Sequence, residues 1–545
     1  MDFLRNNRLA FHLLMGVLLT LVYPMQELFS GNQNIYFLWG MADLLPTAFA
    51  ADPLLLSPNP YPLFSWLISI FPVQSLSIWT TLIYVLLSSV YSFSLFGIAD
   101  RVAPLYKNQS RLISFSALFL FLHSSPIWGT YFQLVFDLDL RWMWDSGIAE
   151  QGVLRGYLQP SVFGVFLLLS LYQAMQRNYV LAILCIAPAA IIHASYLFLG
   201  GILTFFILLQ ANFGKKNLLA ASLLLLLTLP YSFHIFNHFV QTEESLKTAI
   251  NDAVMAGFNT NLHINPVNWL NPKFYLQIPI MLLGIVILWQ TQLRNFILGI
   301  GIIGILLTML AYAMDNTTLI SLNPWRFSIL IMPIATAAIL SKTVSNGAWT
   351  TIRPHVFSVM GIIATALIIY RLFGNGSADF VEAWKLIQIG AFIITLVLAG
   401  FIFKNEIRSK LLAPLVVLAL ISVGIVDHYV DGISKSNKEE FKVISAIDKT
   451  IEPNTVYIIP ANWTSFRMNA QKAVYADENL VYGPALPGLM ERLQLASDLA
   501  ADENLSRILE TITPEISVKW ITTDSSNFEG DAERLTDSYF CVRLR

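Results

Sequence analysis

Charge is scarce in this chain: Asp, Glu, Lys and Arg make up 12% of its 545 residues, while 56% are hydrophobic. A soluble domain carries about 25% charged residues, so an ordinary soluble enzyme is excluded. The mean hydropathy of +0.61 points instead to a polytopic membrane protein. The formal net charge is only −2, so no basic surface argues for a nucleic-acid partner. Cysteine is equally sparse. Cys185 lies in an apolar run and Cys541 in the C-terminal tail, which argues against a disulfide between them and against a cysteine metal site. The sequence also lacks GxxxxGK[ST], HExxH, GxSxG and the protein-kinase set. An ATP-driven pump or a membrane metalloprotease would need one of the first two.

What is abundant is apolar sequence. Runs able to cover roughly 30 Å of hydrocarbon lie near 9–25, 75–99, 112–127, 160–176, 179–192, 195–211, 217–235, 276–290, 296–313, 325–342, 355–373, 385–403 and 411–427, about thirteen crossings. The first run follows MDFLRNNR and reads as a signal-anchor, because the small-residue AFA at 48–50 is too far away to be its cleavage site. The interruption IIHASY divides the stretch 179–211 into two short helices meeting at His193. With the N-terminus in the cytoplasm, RVAPLYKNQSR, QRN, ANFGKK, TQLRN, SKTVSNGAWTTIRPH and KNEIRSK all fall inside, as the positive-inside rule requires. The segments 26–74, 128–159, 236–275, 314–324 and 374–384, together with the tail from 428, then lie outside. The fold expected is mainly α: a transmembrane bundle over 1–427 and a small extracytoplasmic α/β domain over 428–545. In that tail TVYIIP, KAVYAD, SVKWITT and YFCVRL read as strands.

Polar residues beside apolar segments are the candidate site residues. Asp43 and Asp52 stand in the first outer segment, where Asp43 belongs to NIYFLWGMADLL, an amphipathic interfacial helix with the acid on its polar side. The second outer segment packs Asp137, Asp139, Arg141, Asp145, Glu150 and Arg155 among aromatic residues; charges at such a position are costly unless paired or used. Arg141, Arg155 and Arg326, the last in SLNPWRFS, are positive charges on the outer side, against the trend of the cytoplasmic loops. The planar guanidinium fork suits a phosphate at headgroup depth. The alternative is pairing with the nearby acids, and Arg326 has none close in sequence. His193 at its helix break and His263 with Trp269 in NTNLHINPVNW combine hydrogen-bonding groups with an apolar face, a pairing suited to a sugar ring. In IIPANWTSFRMNAQKAVYADENL, Asn462, Trp463, Arg467, Asp477 and Glu478 follow predicted strand ends, where α/β layers place ligands.

This layout resembles the GT-C class of membrane glycosyltransferases, which move sugars from polyprenyl-phosphate or polyprenyl-diphosphate carriers. The likeness lies in a first span, a long outer loop with an acid (AADP, Asp52), a second acidic outer loop (FDLDLRW), about thirteen spans and an outer C-terminal domain. It implies Asp52 as base or acceptor-orienting group, and Asp137 and Asp139 as a DxD pair for the acceptor or a divalent cation such as Mg or Mn. Arg326, with Arg155 or Arg141, would hold the departing phosphate, and His263, Trp269, His193 and Arg467 would bind substrate. The partners implied are a polyprenyl-linked sugar donor, the bilayer and an envelope glycan, lipid or protein acceptor. The membrane implied is a bacterial inner membrane. The tail lacks the WWDYG cluster of oligosaccharyltransferases, so an acceptor other than peptide is expected. The competing classes are a transporter of a lipid-linked or anionic substrate, which would carry charges within its spans, and a non-catalytic envelope assembly protein.

Overall fold

Where the sequence places uninterrupted apolar runs, the backbone is helical, because a segment without side-chain hydrogen-bonding capacity must satisfy its peptide groups internally. A computed structural model of the chain describes residues 7–23, 26–56, 58–124, 127–131, 138–240, 266–314, 319–346 without 321, and 390. It also describes 406–476 without 437, 448, 449 and 461, then 508–523 without 511 and 513, and 532–544. Four helices are long and apolar enough to cross a membrane: Val73–Val102, Lys215–Asn237, Leu293–Ala313 and Pro324–Ser345. Seven further apolar helices are shorter: Arg8–Val22, Gln109–Leu122, Pro160–Met175, Tyr179–Ile192, Ala194–Gln210, Pro272–Leu288 and Pro414–Ile425.

The count of membrane-length helices is therefore four among the described residues, against the about thirteen crossings expected. The run 355–373 and, apart from residue 390, the run 385–403 lie outside the described residues, and the remaining shortfall is one of length. The shorter helices have 10–17 residues, and 17 residues at 1.5 Å each span only about 26 Å. The sequence runs counted residues beyond the helix ends. Arg8–Val22, for example, closes at Tyr23, whose amide bonds Leu19 O, just before Pro24. The break at His193 is present as expected. His193 leaves the helix in an extended conformation (φ −136°, ψ 119°), and its ring nitrogen caps the next helix by accepting the Ser195 amide at 3.3 Å.

The bundle is organised around the long Leu76–Val102 helix, which packs against Arg8–Val22, Val165–Met175 and Ser328–Ser345, while Pro272–Leu288 lies along Ser328–Ser345. Small residues permit the closest approaches. A Cβ on Gly284 would run into Ala335, and one on Gly16 into Ser89, the packing by which apolar helices gain dispersion contacts in lipid. At one end of the bundle Arg8 lies over the Tyr106 ring and Arg101 donates to Gln176 Oε1. At the other end the segment 138–159 is drawn into the bundle. Gln277 Nε2 donates to Met143 O (3.1 Å) and Ser146 O (2.9 Å), Thr336 Oγ1 to Trp144 O (2.9 Å), and Ser328 Oγ accepts the Ile148 amide (2.9 Å).

The tail holds a five-stranded sheet, order β2-β1-β3-β5-β4, from β1 (Thr455–Ile458), β2 (Ala473–Val474), β3 (Ser517–Thr522), β4 (Ala532–Arg534) and β5 (Phe540–Arg543). β2, β1 and β3 are parallel; β5 runs antiparallel to both β3 and β4. Every residue of β1 is buried, as expected of a central strand covered on both faces. Val456 and Ile458 join the core continuous with the bundle, while Tyr457 packs with Val443, Phe466 and Val474 on the other face.

Candidate functional site

The sequence-predicted residues divide into two groups: those whose charge the fold cancels and those whose charge it leaves open. Asp52 and Arg467 belong to the first. They lie 415 positions apart, yet Arg467 Nε donates to Asp52 Oδ2 at 2.8 Å, and both side chains are fully buried. Asp52 also accepts the Val474 amide at 3.1 Å and the Leu54 amide at 3.0 Å. The segment carrying Asp52 thereby covers β2, the edge strand of the sheet. This geometry gives the pair an anchoring task. A carboxylate enclosed against a guanidinium cannot touch an acceptor, and an arginine so engaged cannot reach a substrate. Asp52 as base and Arg467 as substrate ligand thus have no support from where these side chains lie.

Arg141 also has a partner. It grips Asp139 with Nη2 at 2.7 Å from Oδ2 and Nε at 3.1 Å from each oxygen, a fork geometry in the half-exposed part of the 138–159 loop. Burial favours the protonated form of Asp139, but its bonds to Arg141 prevail and hold the carboxyl below its ordinary value. Asp137, the other half of the DxD pair, and His263 lie outside the described residues, as do Asp477 and Glu478. Among the described residues no group of three or more His, Cys, Asp or Glu is arranged for a metal ion. With both oxygens of Asp139 on Arg141, the described half of the pair does not fit a cation in this arrangement. Trp269 packs at 4.8 Å from Trp325 in a buried cluster with Tyr312, so its faces are spent on neighbours.

Arg326 is different. It sits on a short 3₁₀ turn, Pro324–Phe327, entered through Asn323 in the left-handed region (φ 51°), which turns the chain abruptly into the Ser328–Ser345 helix. Its Nε donates to Gln151 Oε1 at 3.0 Å, and its Nη1 stands 3.2 Å from His193 Nε2. It makes no ion pair among the described residues. Around it the aromatic rings form a wall: Tyr61 lies 5.6 Å from the His193 ring, Tyr36 4.9 Å from Tyr61, and Tyr196 4.9 Å from His193. These residues come from four separate parts of the sequence, so the fold assembles this site around a cation held by neutral groups.

Arg155 shares that character. Its guanidinium lies 4.6 Å over the Trp142 ring and has no carboxylate partner among the described residues. Tyr23 and Tyr84 fix its backbone by donating to Leu154 O (3.0 Å) and Arg155 O. Both Arg155 and Arg326 act electrostatically on the Tyr196 hydroxyl. Trp142, Ala149, Glu150 and Asn323, in the two segments that carry them, all have positive φ without being glycine. Such strain is stored where the surroundings over-determine the backbone. Gln151, Tyr36, Tyr61 and Trp142 were not singled out in the sequence, because neutral side chains in an aromatic-rich loop carry no charge signal. Asp145, the one buried acid among the described residues of this loop, stands in the sequence only as one of the several charges of the second outer segment.

No protein-family model and no curated protein matches the chain. Functional inference therefore rests on the site itself.

Proposed function

We propose that this protein is a membrane-embedded glycosyltransferase of the GT-C kind, which holds the phosphate or diphosphate of a polyprenyl-linked sugar at Arg326 and Arg155. It passes the sugar to an envelope glycan, lipid or protein acceptor on the outer face of a bacterial plasma membrane. In this reading the N-terminus is cytoplasmic, the tail sheet is outside, and the shorter apolar helices cross together with the long ones to give about thirteen spans. One observation carries the proposal: Arg326 is a half-buried guanidinium held by Gln151 and His193 and lacking an anionic partner among the described residues. A half-buried cation oriented by neutral groups beside aromatic rings costs desolvation energy, which an anionic ligand would repay. In the reaction the acceptor hydroxyl oxygen bonds to the anomeric carbon as the carbon–oxygen bond to phosphate breaks. The phosphate leaves with the electron pair, and its growing charge meets a preorganised guanidinium. The hydroxyl proton passes to solvent, since Asp139 has both oxygens on Arg141 and Asp52 is closed off by Arg467.

The test is binding of a polyprenyl phosphate to the full-length protein in nanodiscs. Removing a charge-assisted contact costs about 1.5–3 kcal/mol, so Arg326→Ala should weaken binding roughly 10- to 150-fold while thermal stability stays within about 1 kcal/mol of wild type. Unchanged affinity in that variant would reject the proposal.

A further inference from the structure

Asp145 is the group the mechanism above leaves unused. It lies in the turn where Asp145 N and Ser146 N both donate to Trp142 O. The residue is 1% exposed, and neither carboxylate oxygen has a hydrogen-bond partner among the described residues. An ionised carboxylate in that condition would be very costly. Several polar groups lie in its field, and each makes a bond elsewhere. Tyr23, at the end of the Arg8–Val22 helix, donates to Leu154 O, and Tyr84, on the Leu76–Val102 helix, donates to Arg155 O. Tyr91, on the same helix, bonds His123 Nε2 at 2.9 Å, and Lys273, on the Pro272–Leu288 helix, is paired with Glu150 at 2.7 Å. The remaining cation in its field is Arg155, whose guanidinium is parked on Trp142.

We propose that Asp145 is a positioning residue acting through Arg155: carrying its proton it leaves the guanidinium free for an anion, and without the proton it draws the guanidinium to itself. The inference rests on the reading of Arg326 and Arg155 as an anion site. Two tyrosines spend their hydroxyls holding the backbone on either side of Arg155, so its side chain rises from a fixed base to the Trp142 ring, in the field of the carboxylate. Burial pushes the Asp145 carboxyl up to about 7, with Arg155, the Tyr23 hydroxyl, its own backbone and Lys273 pulling the other way. The exchange therefore falls at physiological pH. By linkage, an anion that binds with Arg155 promotes proton uptake at Asp145, and raising the pH weakens the anion.

The experiment measures affinity of the full-length protein in nanodiscs for a prenyl sulfate, whose charge is constant between pH 6 and 8. A carboxyl titrating near 7 passes from mostly protonated to mostly ionised over that range, so wild-type affinity should fall about ten-fold. Asp145→Asn should bind with low-pH affinity at both pH values. Arg155→Gln should bind more weakly and with no pH slope, which a purely structural Asp145 would not produce. Infrared spectra at pH 6 should show a protonated-carboxyl band that Asp145→Asn lacks. A full wild-type slope in either variant, or no such band, would overturn the inference. If Arg326→Ala binds as tightly as wild type at both pH values, the anion-site reading itself fails. If Arg326 matters but the slope survives in Asp145→Asn, only the role of Asp145 fails.

Discussion

Arg467 is a buried arginine and Arg326 a half-buried one, and they have opposite environments. Arg467 lies against Asp52 with no exposure on either side, whereas Arg326 is held by an amide and an imidazole and keeps its charge uncancelled among the described residues. The contrast shows how one fold separates anchoring from recognition. A guanidinium satisfied by a carboxylate ties two chain segments together; one satisfied by neutral groups remains oriented and available. The sequence pattern at the two positions does not distinguish these fates, because the decisive partners come from distant segments.

The comparison can be broken first at the latch. Removing one partner of a buried ion pair costs about 3–5 kcal/mol, so Asp52→Ala or Arg467→Ala should loosen the tail sheet from the bundle, seen as faster limited proteolysis of the tail and a lower unfolding temperature. Replacing both partners by apolar residues should cost less than either single change. Prenyl-phosphate binding should persist in any single variant that remains folded; lost binding with intact folding would return Asp52 to the site.

The seat of the loop offers the next effect. A Cβ on Gly147 would stand 2.6 Å from Ile329 N and from the Ser328 carbonyl carbon. Overpacking of this kind costs about 1–3 kcal/mol, and Gly147→Ala should lift the loop off Ser328, lowering both thermal stability and ligand affinity. Gln151→Leu removes a single orienting bond to Arg326, worth about 1 kcal/mol. Affinity should fall about five-fold without loss of stability.

The smallest effect belongs to Asp139. Burial works against its ionisation, but Arg141 outweighs it and lowers the carboxyl from its usual value. The stabilisation is therefore fully present above the unfolded-state value and is lost as the pH falls through the folded one. Both side chains are more than a third exposed, so Asp139→Asn should cost no more than about 1 kcal/mol at neutral pH. In acid the difference from wild type should vanish, as chemical denaturation at several pH values would show.

Much of the helical framework was legible from hydropathy alone. Apart from the two runs almost wholly outside the described residues, each apolar run overlaps a helix, because apolar composition dictates internal hydrogen bonding. Length was less legible, since helix ends are set by local events such as the caps at Tyr23 and His193. The four strand-like runs of the tail contain β1, β2, β3 and β5; β4, carried by AER, has no β-rich pattern to announce it. At the site, Arg326 and His193 stood out because a positive charge and a helix break are local anomalies. Gln151 and the tyrosines were silent. Asp52 appeared catalytic because its apolar surroundings were visible in the sequence and Arg467, 415 positions away, was not.

The central claim is that the open cation, and not the latched one, receives the lipid-linked anion. A cryo-electron microscopy map of the full-length protein in nanodiscs containing polyprenyl phosphate tests it most directly. The account predicts phosphate density within hydrogen-bond reach of Arg326, with the Asp52–Arg467 pair intact. Phosphate density at Arg467 with that pair broken, or a bound lipid whose phosphate lies away from both Arg326 and Arg155, would contradict it.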